Sequence, residues 1–363
     1  MNQRLKELTQ AGVSIWLDDL SRSRIASGNL EQLIRDYSVR GVTTNPTIFA
    51  AALKTADYLP YLEIEKQAGS SASQAVFNIT TRDVADACDI FKETYIETQG
   101  VDGRVSIEVS PDLAFDSEKT ILEAVALYEK VNRENVMIKI PATLPGLTAI
   151  TEVVSRGISV NVTLIFSLAR YRQVIDAYMT GLERALESGL DLRKIHSVAS
   201  FFVSRVDTEV DKRLEKLGRP DLKSRAALAN ARLAYGLFKQ SFDSSRWNKL
   251  AAQGAMLQRP LMASTGVKDP ELSDTLYVSE LVATDLVNTM PEKTMMAFAD
   301  HGEVLVDSIE ANMDLSSEHL QVLQSAGIEL DEVTDLLEKE GVEKFIASWH
   351  ELIESVNQAI KSV

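Results

Sequence analysis

The chain has 363 residues, 45% of them hydrophobic and 25% charged, with a formal net charge of −15. This is ordinary globular composition, and the acidic balance argues against nucleic acid and anionic membranes as partners while leaving room for a few cations around one phosphate. The single cysteine, Cys88, excludes an intrachain disulfide; with no signal-peptide core and no apolar run long enough for a bilayer, the expected location is cytoplasmic.

A short β-branched run followed by a longer amphipathic segment recurs along the chain. The first run, residues 12–17, stops at Asp18. The second, 41–44, stops at Asn45-Pro46, and residues 47–73 then read as an inserted helical pair. Residues 104–107 stop at Glu108, and 136–138 at Lys139. Residues 157–160 lead into Asn161-Val162-Thr163, and 196–199 into Ser200-Phe201-Phe202. Weaker runs follow at 260–263 and 284–287. Between them, residues 121–131 and 168–186 carry helical periodicity; in the latter it runs through Tyr171, Val174, Ile175, Tyr178 and Leu182. The tail, 301–363, is helical, with 338–363 amphipathic around Val342, Phe345, Trp349, Leu352 and Val356. About eight alternating units imply parallel pairing and an α/β fold closed as a (β/α)8 TIM barrel, a single domain with the tail packed on it. An open doubly wound sheet is the alternative, but the Gly-rich turn of its dinucleotide-binding form is missing.

Barrel enzymes build their sites where the strands stop. Here those positions carry Asp18, Asn45, Glu108, Lys139, Asn161, Thr163 and Ser200. Lys139 is the sharpest of them, flanked by apolar residues on both sides. Burial disfavours the ammonium form of such a lysine, and a neutral amine can attack a ketone to form an iminium that serves as an electron sink. A side chain snorkelling to solvent is the competing reading. Asp18 and Glu108 are candidates for proton transfer, against the bland role of helix cap. Asn45 before Pro46 also suits a plain turn, whereas Asn161 interrupts a β-branched run where Asn is depleted. For a phosphate, Ser200, Arg205, Ser264 and Lys268 follow the later strands, and Arg205 opens a helix at 205–217; pairing with Asp207 or Glu209 explains Arg205 equally well. His196, His301, His319 and His350 show no metal-binding spacing, and no catalytic metal is expected. The residues leave the oligomeric state open, a homodimer among the options.

Several segments together resemble transaldolases, in the longer form found in bacteria such as the actinobacteria. They are Ile15-Trp16-Leu17-Asp18-Asp19-Leu20-Ser21-Arg22, Gly41-Val42-Thr43-Thr44-Asn45-Pro46-Thr47, Val105-Ser106-Ile107-Glu108-Val109, Ile138-Lys139-Ile140-Pro141-Ala142-Thr143 and Asn161-Val162-Thr163-Leu164-Ile165-Phe166-Ser167. The resemblance covers nearly the whole chain. It implies transfer of a dihydroxyacetone unit between sugar phosphates, without a cofactor, through a Schiff base on Lys139. Asp18 would move the proton of the substrate hydroxyl, and Glu108 and Thr163 would position a catalytic water. Asn45 and Asn161 would hold substrate hydroxyls, Ser200 and Phe202 would line the channel, and Arg205 would bind phosphate. Many members carry a second phosphate arginine in a Ser-Phe-Arg segment. This chain has Ser264-Thr265-Gly266-Val267-Lys268 there, so Lys268 stands in as the substitute cation. The related fructose 6-phosphate aldolases are much shorter and differ where Glu108 and Phe202 stand.

Overall fold

A computed structural model describes residues 1–362. Eight parallel strands, β1 (Val13–Leu17), β2 (Val39–Val42), β3 (Arg104–Glu108), β4 (Val136–Pro141), β5 (Val160–Ile165), β6 (Ser197–Phe202), β7 (Gln258–Ala263) and β8 (Leu286–Met290), close in sequence order into a barrel. Each crossover carries at least one helix, because parallel neighbours cannot be joined by a tight turn. The result is the expected (β/α)8 architecture, not the open sheet.

Alternation along each strand sends one set of side chains outward to the helices and the other into the barrel. Trp16, fully buried, fills much of the lower interior. Gly41 on β2 makes room for it: a Cβ there would lie 2.6 Å from the indole Cε2. At the N-terminal end, Asp102 accepts from Ser14 Oγ (2.7 Å), Trp16 Nε1 (3.2 Å) and Arg259 Nη2 (2.8 Å), which closes the floor with a satisfied polar network. His196 belongs to this end; burial, and then the nearby Arg104, pushes its pKa down to about 3, so it stays neutral.

Strand positions differ from the sequence expectation at several points, and β2 spans Val39–Val42 and not 41–44. β5 begins at Val160 and runs through Asn161 and Thr163, and β8 begins at Leu286 and not at residue 284. β5 carries Asn161 and Thr163 and β8 carries Asn288 and Thr289, so the apolar signal weakens where each strand continues. Lys139 likewise sits within β4, ahead of Ile140 and Pro141, so it stands below the rim.

The stretch after β2 forms helices Pro46–Ala52 and Leu59–Gln67, followed by the long helix Ala72–Ile90. At the other end of the chain, helix Leu330–Ser362 lies against all three, against helix Ser204–Lys216 and against β5. It crosses the C-terminal mouth of the barrel with Val342, Phe345, Leu352 and Val356 buried and Trp349 half-buried. Lys54 to Glu351 (2.6 Å), Arg170 to Glu338 (3.1 Å) and Thr47 to Ser348 (2.9 Å) tie its polar edges to the barrel. Among the described residues, no helix is long and apolar enough to cross a membrane.

Candidate active site

Strand register determines which polar side chains meet. Lys139 on β4 pairs with Glu108 on β3 and with Asn161 on β5, and Pro141 pairs with Thr163. Directly paired residues of neighbouring strands face the same way. Glu108, Lys139 and Asn161 therefore form one inward row, with Thr163 one layer nearer the mouth.

Lys139 does not snorkel. It is 4% exposed, its Nζ donates to the Thr44 carbonyl at 3.0 Å, and Glu108 Oε2 lies 3.3 Å away. The Phe345 ring of the C-terminal helix covers the same nitrogen, 5.7 Å from its centroid. Burial pushes the Glu108 carboxyl up to about 7, with Lys139 acting in the opposite direction. Neither Glu108 oxygen nor Thr163 Oγ1 has a hydrogen-bond partner among the described residues, although all three atoms are buried. Buried polar side-chain atoms usually have a partner, so three without one call for an explanation.

Asp18 follows β1 on the opposite wall. Its Oδ1 accepts from Thr43 Oγ1 at 2.7 Å, and Thr43 Oγ1 is 2.6 Å from Thr289 Oγ1 on β8. It does not cap the next helix; Ser21 does, by accepting from Arg24 N. Asp19 turns away to Arg24 at 2.5 Å. Burial raises the Asp18 pKa, and Lys139 and Thr43 partly counter it.

A cavity of about 330 Å³ opens at the C-terminal mouth, lined by Asp18, Asn45, Lys139, Thr163, Ser200, Phe202, Arg205, Ser264 and Lys268 from the sequence-derived set. That volume suits a small ligand. Asn45 Oδ1 caps helix Pro46–Ala52 by accepting from Ile48 N at 3.1 Å, and the residue also lines the cavity. Glu108 and Asn161 lie beneath the floor. Asn161 is fully buried, donating to Ser106 Oγ (3.0 Å) and accepting from Ser200 Oγ (2.7 Å), so it orients Ser200 from below. Arg205 pairs with neither Asp207 nor Glu209. Asp207 accepts from Tyr277 and Ala227, and Glu209 from Lys212 and Arg213. Instead, the Arg205 guanidinium stacks 5.1 Å over the Phe202 ring.

Some lining residues escaped the sequence reading: Thr43, Thr289, Lys344 and Phe345. Thr43 lay within the run that stops at Asn45, two residues before it. Thr289 lay in the strand read too early. Phe345 was visible only as part of an apolar stripe, and nothing in the sequence marked Lys344.

The sequence profile of the Transaldolase/Fructose-6-phosphate aldolase family matches residues 15–356. A transaldolase of Arthrobacter sp. (strain FB24) is 56% identical, aligned over 100% of this chain and 99% of its own. Transaldolases of Thermobifida fusca (strain YX), 54% identical, and Kocuria rhizophila, 57% identical, each align over 99% of both chains. With coverage and identity of this order, the chain belongs to the transaldolase/fructose-6-phosphate aldolase family.

Proposed function

We propose that Lys139 is the Schiff-base nucleophile of a transaldolase, with Asp18, Glu108 and Thr163 handling protons around it. The enzyme transfers a dihydroxyacetone unit from sedoheptulose 7-phosphate to glyceraldehyde 3-phosphate, giving erythrose 4-phosphate and fructose 6-phosphate in the non-oxidative pentose phosphate pathway. The observation that carries the site assignment is Lys139 Nζ, buried 3.3 Å from Glu108 at the base of a cavity that Asp18 also lines.

The chemistry follows from that placement. The neutral Lys139 amine adds to the ketone carbon. Glu108, with Thr163 through a water, delivers a proton so that the carbinolamine oxygen leaves as water. The iminium formed is the electron sink. Asp18 takes the C4 hydroxyl proton, the C3–C4 bond breaks, and its electron pair moves into the iminium to give an enamine. Erythrose 4-phosphate leaves, glyceraldehyde 3-phosphate enters, and the steps reverse onto the new aldehyde, with Asp18 returning its proton. Ser200, oriented by Asn161, and Asn45 hold the hydroxyls of the three-carbon unit. Arg205, Lys268 and Ser264 receive the phosphate, and Phe202 walls the channel. Phosphorylated substrates and the lone buried Cys88 support a cytoplasmic location.

Borohydride reduction in the presence of fructose 6-phosphate is expected to add a stable adduct to the peptide holding Lys139, read by mass spectrometry. Lys139→Ala is expected to lose at least on the order of 10³ in kcat. Near-normal turnover of that variant in a coupled assay for erythrose 4-phosphate would sink the assignment. Release of free dihydroxyacetone at the same rate would point to aldolase chemistry instead.

A further inference from the structure

The C-terminal helix brings to the mouth a cation that no strand supplies. Lys344 lines the cavity with Arg205 and Lys268. Among the described residues, none of these three cations forms an ion pair. Glu343, next to Lys344, pairs with Lys339 at 4.0 Å. Glu340 and Asp18 act on Arg205 only from beyond ion-pair distance. In a chain with 53 acidic and 38 basic residues, a convergence of unpaired cations is not what random placement would give. It also carries a cost. Burial, and then Arg205 and Lys344, hold the Lys268 ammonium below its usual range. A dianion placed among the cations offsets that mutual repulsion.

Gly341 explains how the helix comes so close. A Cβ there would sit 3.0 Å from Leu164 Cδ2 and 3.6 Å from Arg205 Nη1. Lys344 and Phe345 follow Gly341 by one turn on the same face. The face that covers the Schiff-base nitrogen with Phe345 thus also presents Lys344 to the cavity that Arg205 and Lys268 line.

We propose that Lys344 is a substrate phosphate ligand, completing a set of cations with Arg205 and Lys268, and that the C-terminal helix is thereby a wall of the active site. This rests on the reading of the mouth as a sugar-phosphate site. Lysine serves here as a point charge and not as a bidentate fork.

The test uses the full-length enzyme and its Lys344→Gln and Lys344→Arg variants. Calorimetric titration with inorganic phosphate is expected to give a Kd about tenfold higher in Lys344→Gln, with most of the affinity regained in Lys344→Arg. Borohydride trapping on Lys139 should show the same rise in half-saturation for fructose 6-phosphate and little change for dihydroxyacetone, which has no phosphate. An unchanged phosphate Kd overturns the proposal. So does an equal shift for both ketones, which would mean that the helix had merely moved. The phosphate titration stands whatever happens at Lys139, so failure of the Schiff-base assignment shows separately, as dihydroxyacetone leaving Lys139 unlabelled in the unaltered enzyme.

Discussion

Glu108 lies 3.3 Å from Lys139 where water is scarce. Burying a carboxylate costs several kcal/mol, and attraction to a cation beside it repays this only in part. The Glu108 carboxyl, pushed up to about 7, records the shortfall. For catalysis the shortfall is useful, because a proton donor works best with a pKa near the working pH. The sign follows directly. The folded pKa lies above the ordinary carboxyl value, so the acid form dominates below about pH 7 and is lost as pH rises through it. In the proposed mechanism, loss of water from the carbinolamine draws on that acid form. The first-turnover burst of erythrose 4-phosphate, followed by rapid quench, is therefore expected to slow as pH rises past that value. Glu108→Gln should remove this inflection and slow the burst by roughly 10²-fold. An inflection that survives in Glu108→Gln would assign the proton to another group.

The strands were legible to the extent that they were apolar. β1, β3, β4 and β6 announce themselves by β-branched runs ending in a polar residue, and their end residues led to Asp18, Glu108, Lys139 and Ser200. β5 and β8 were misplaced because Asn161, Thr163, Asn288 and Thr289 interrupt their apolar runs; Asn161, Thr163 and Thr289 face the lumen, which accommodates polar groups, and Asn288 faces outward, where it donates to the Tyr277 carbonyl. Register was not legible at all: no spacing in the chain says that Lys139 faces Glu108 on one side and Asn161 on the other. The tail was the largest gap. Its amphipathic pattern told that one face would be covered, but which surface it would meet depends on contacts made across most of the chain, so Lys344 and Phe345 went unassigned. Gly341 gives a handle on this element. A branched side chain there meets Leu164 and Arg205 head-on. Gly341→Val is expected to cost about 1–3 kcal/mol in denaturant unfolding, by overpacking. By lifting the helix it should also raise the half-saturation for fructose 6-phosphate. If both quantities stayed at their original values, the close approach at Gly341 would not be what holds the helix on the mouth.

The whole molecule sets two fields against each other. Its net charge of −15 repels a sugar-phosphate dianion at long range, whereas Arg205, Lys268 and Lys344 attract it at the mouth. The two have different reach, so salt can separate them. At about 0.01 M ionic strength the screening length is roughly 30 Å and the repulsion of the whole surface is felt. At about 0.1 M it shrinks to roughly 10 Å, which removes most of that repulsion and leaves the local cations acting. Toward about 1 M, at roughly 3 Å, the cations are screened as well. kcat/KM for fructose 6-phosphate is therefore expected to rise, pass through a maximum and fall as salt is added. Steady-state rates across that series, with erythrose 4-phosphate as the acceptor held saturating, would show it. In Lys344→Gln the falling limb should flatten, because less local attraction is left to screen, while the rising limb, set by the whole surface, should persist. A monotonic fall in the unaltered enzyme would mean that the mouth outweighs the surface at every distance, and that the acidic exterior plays no part in substrate approach.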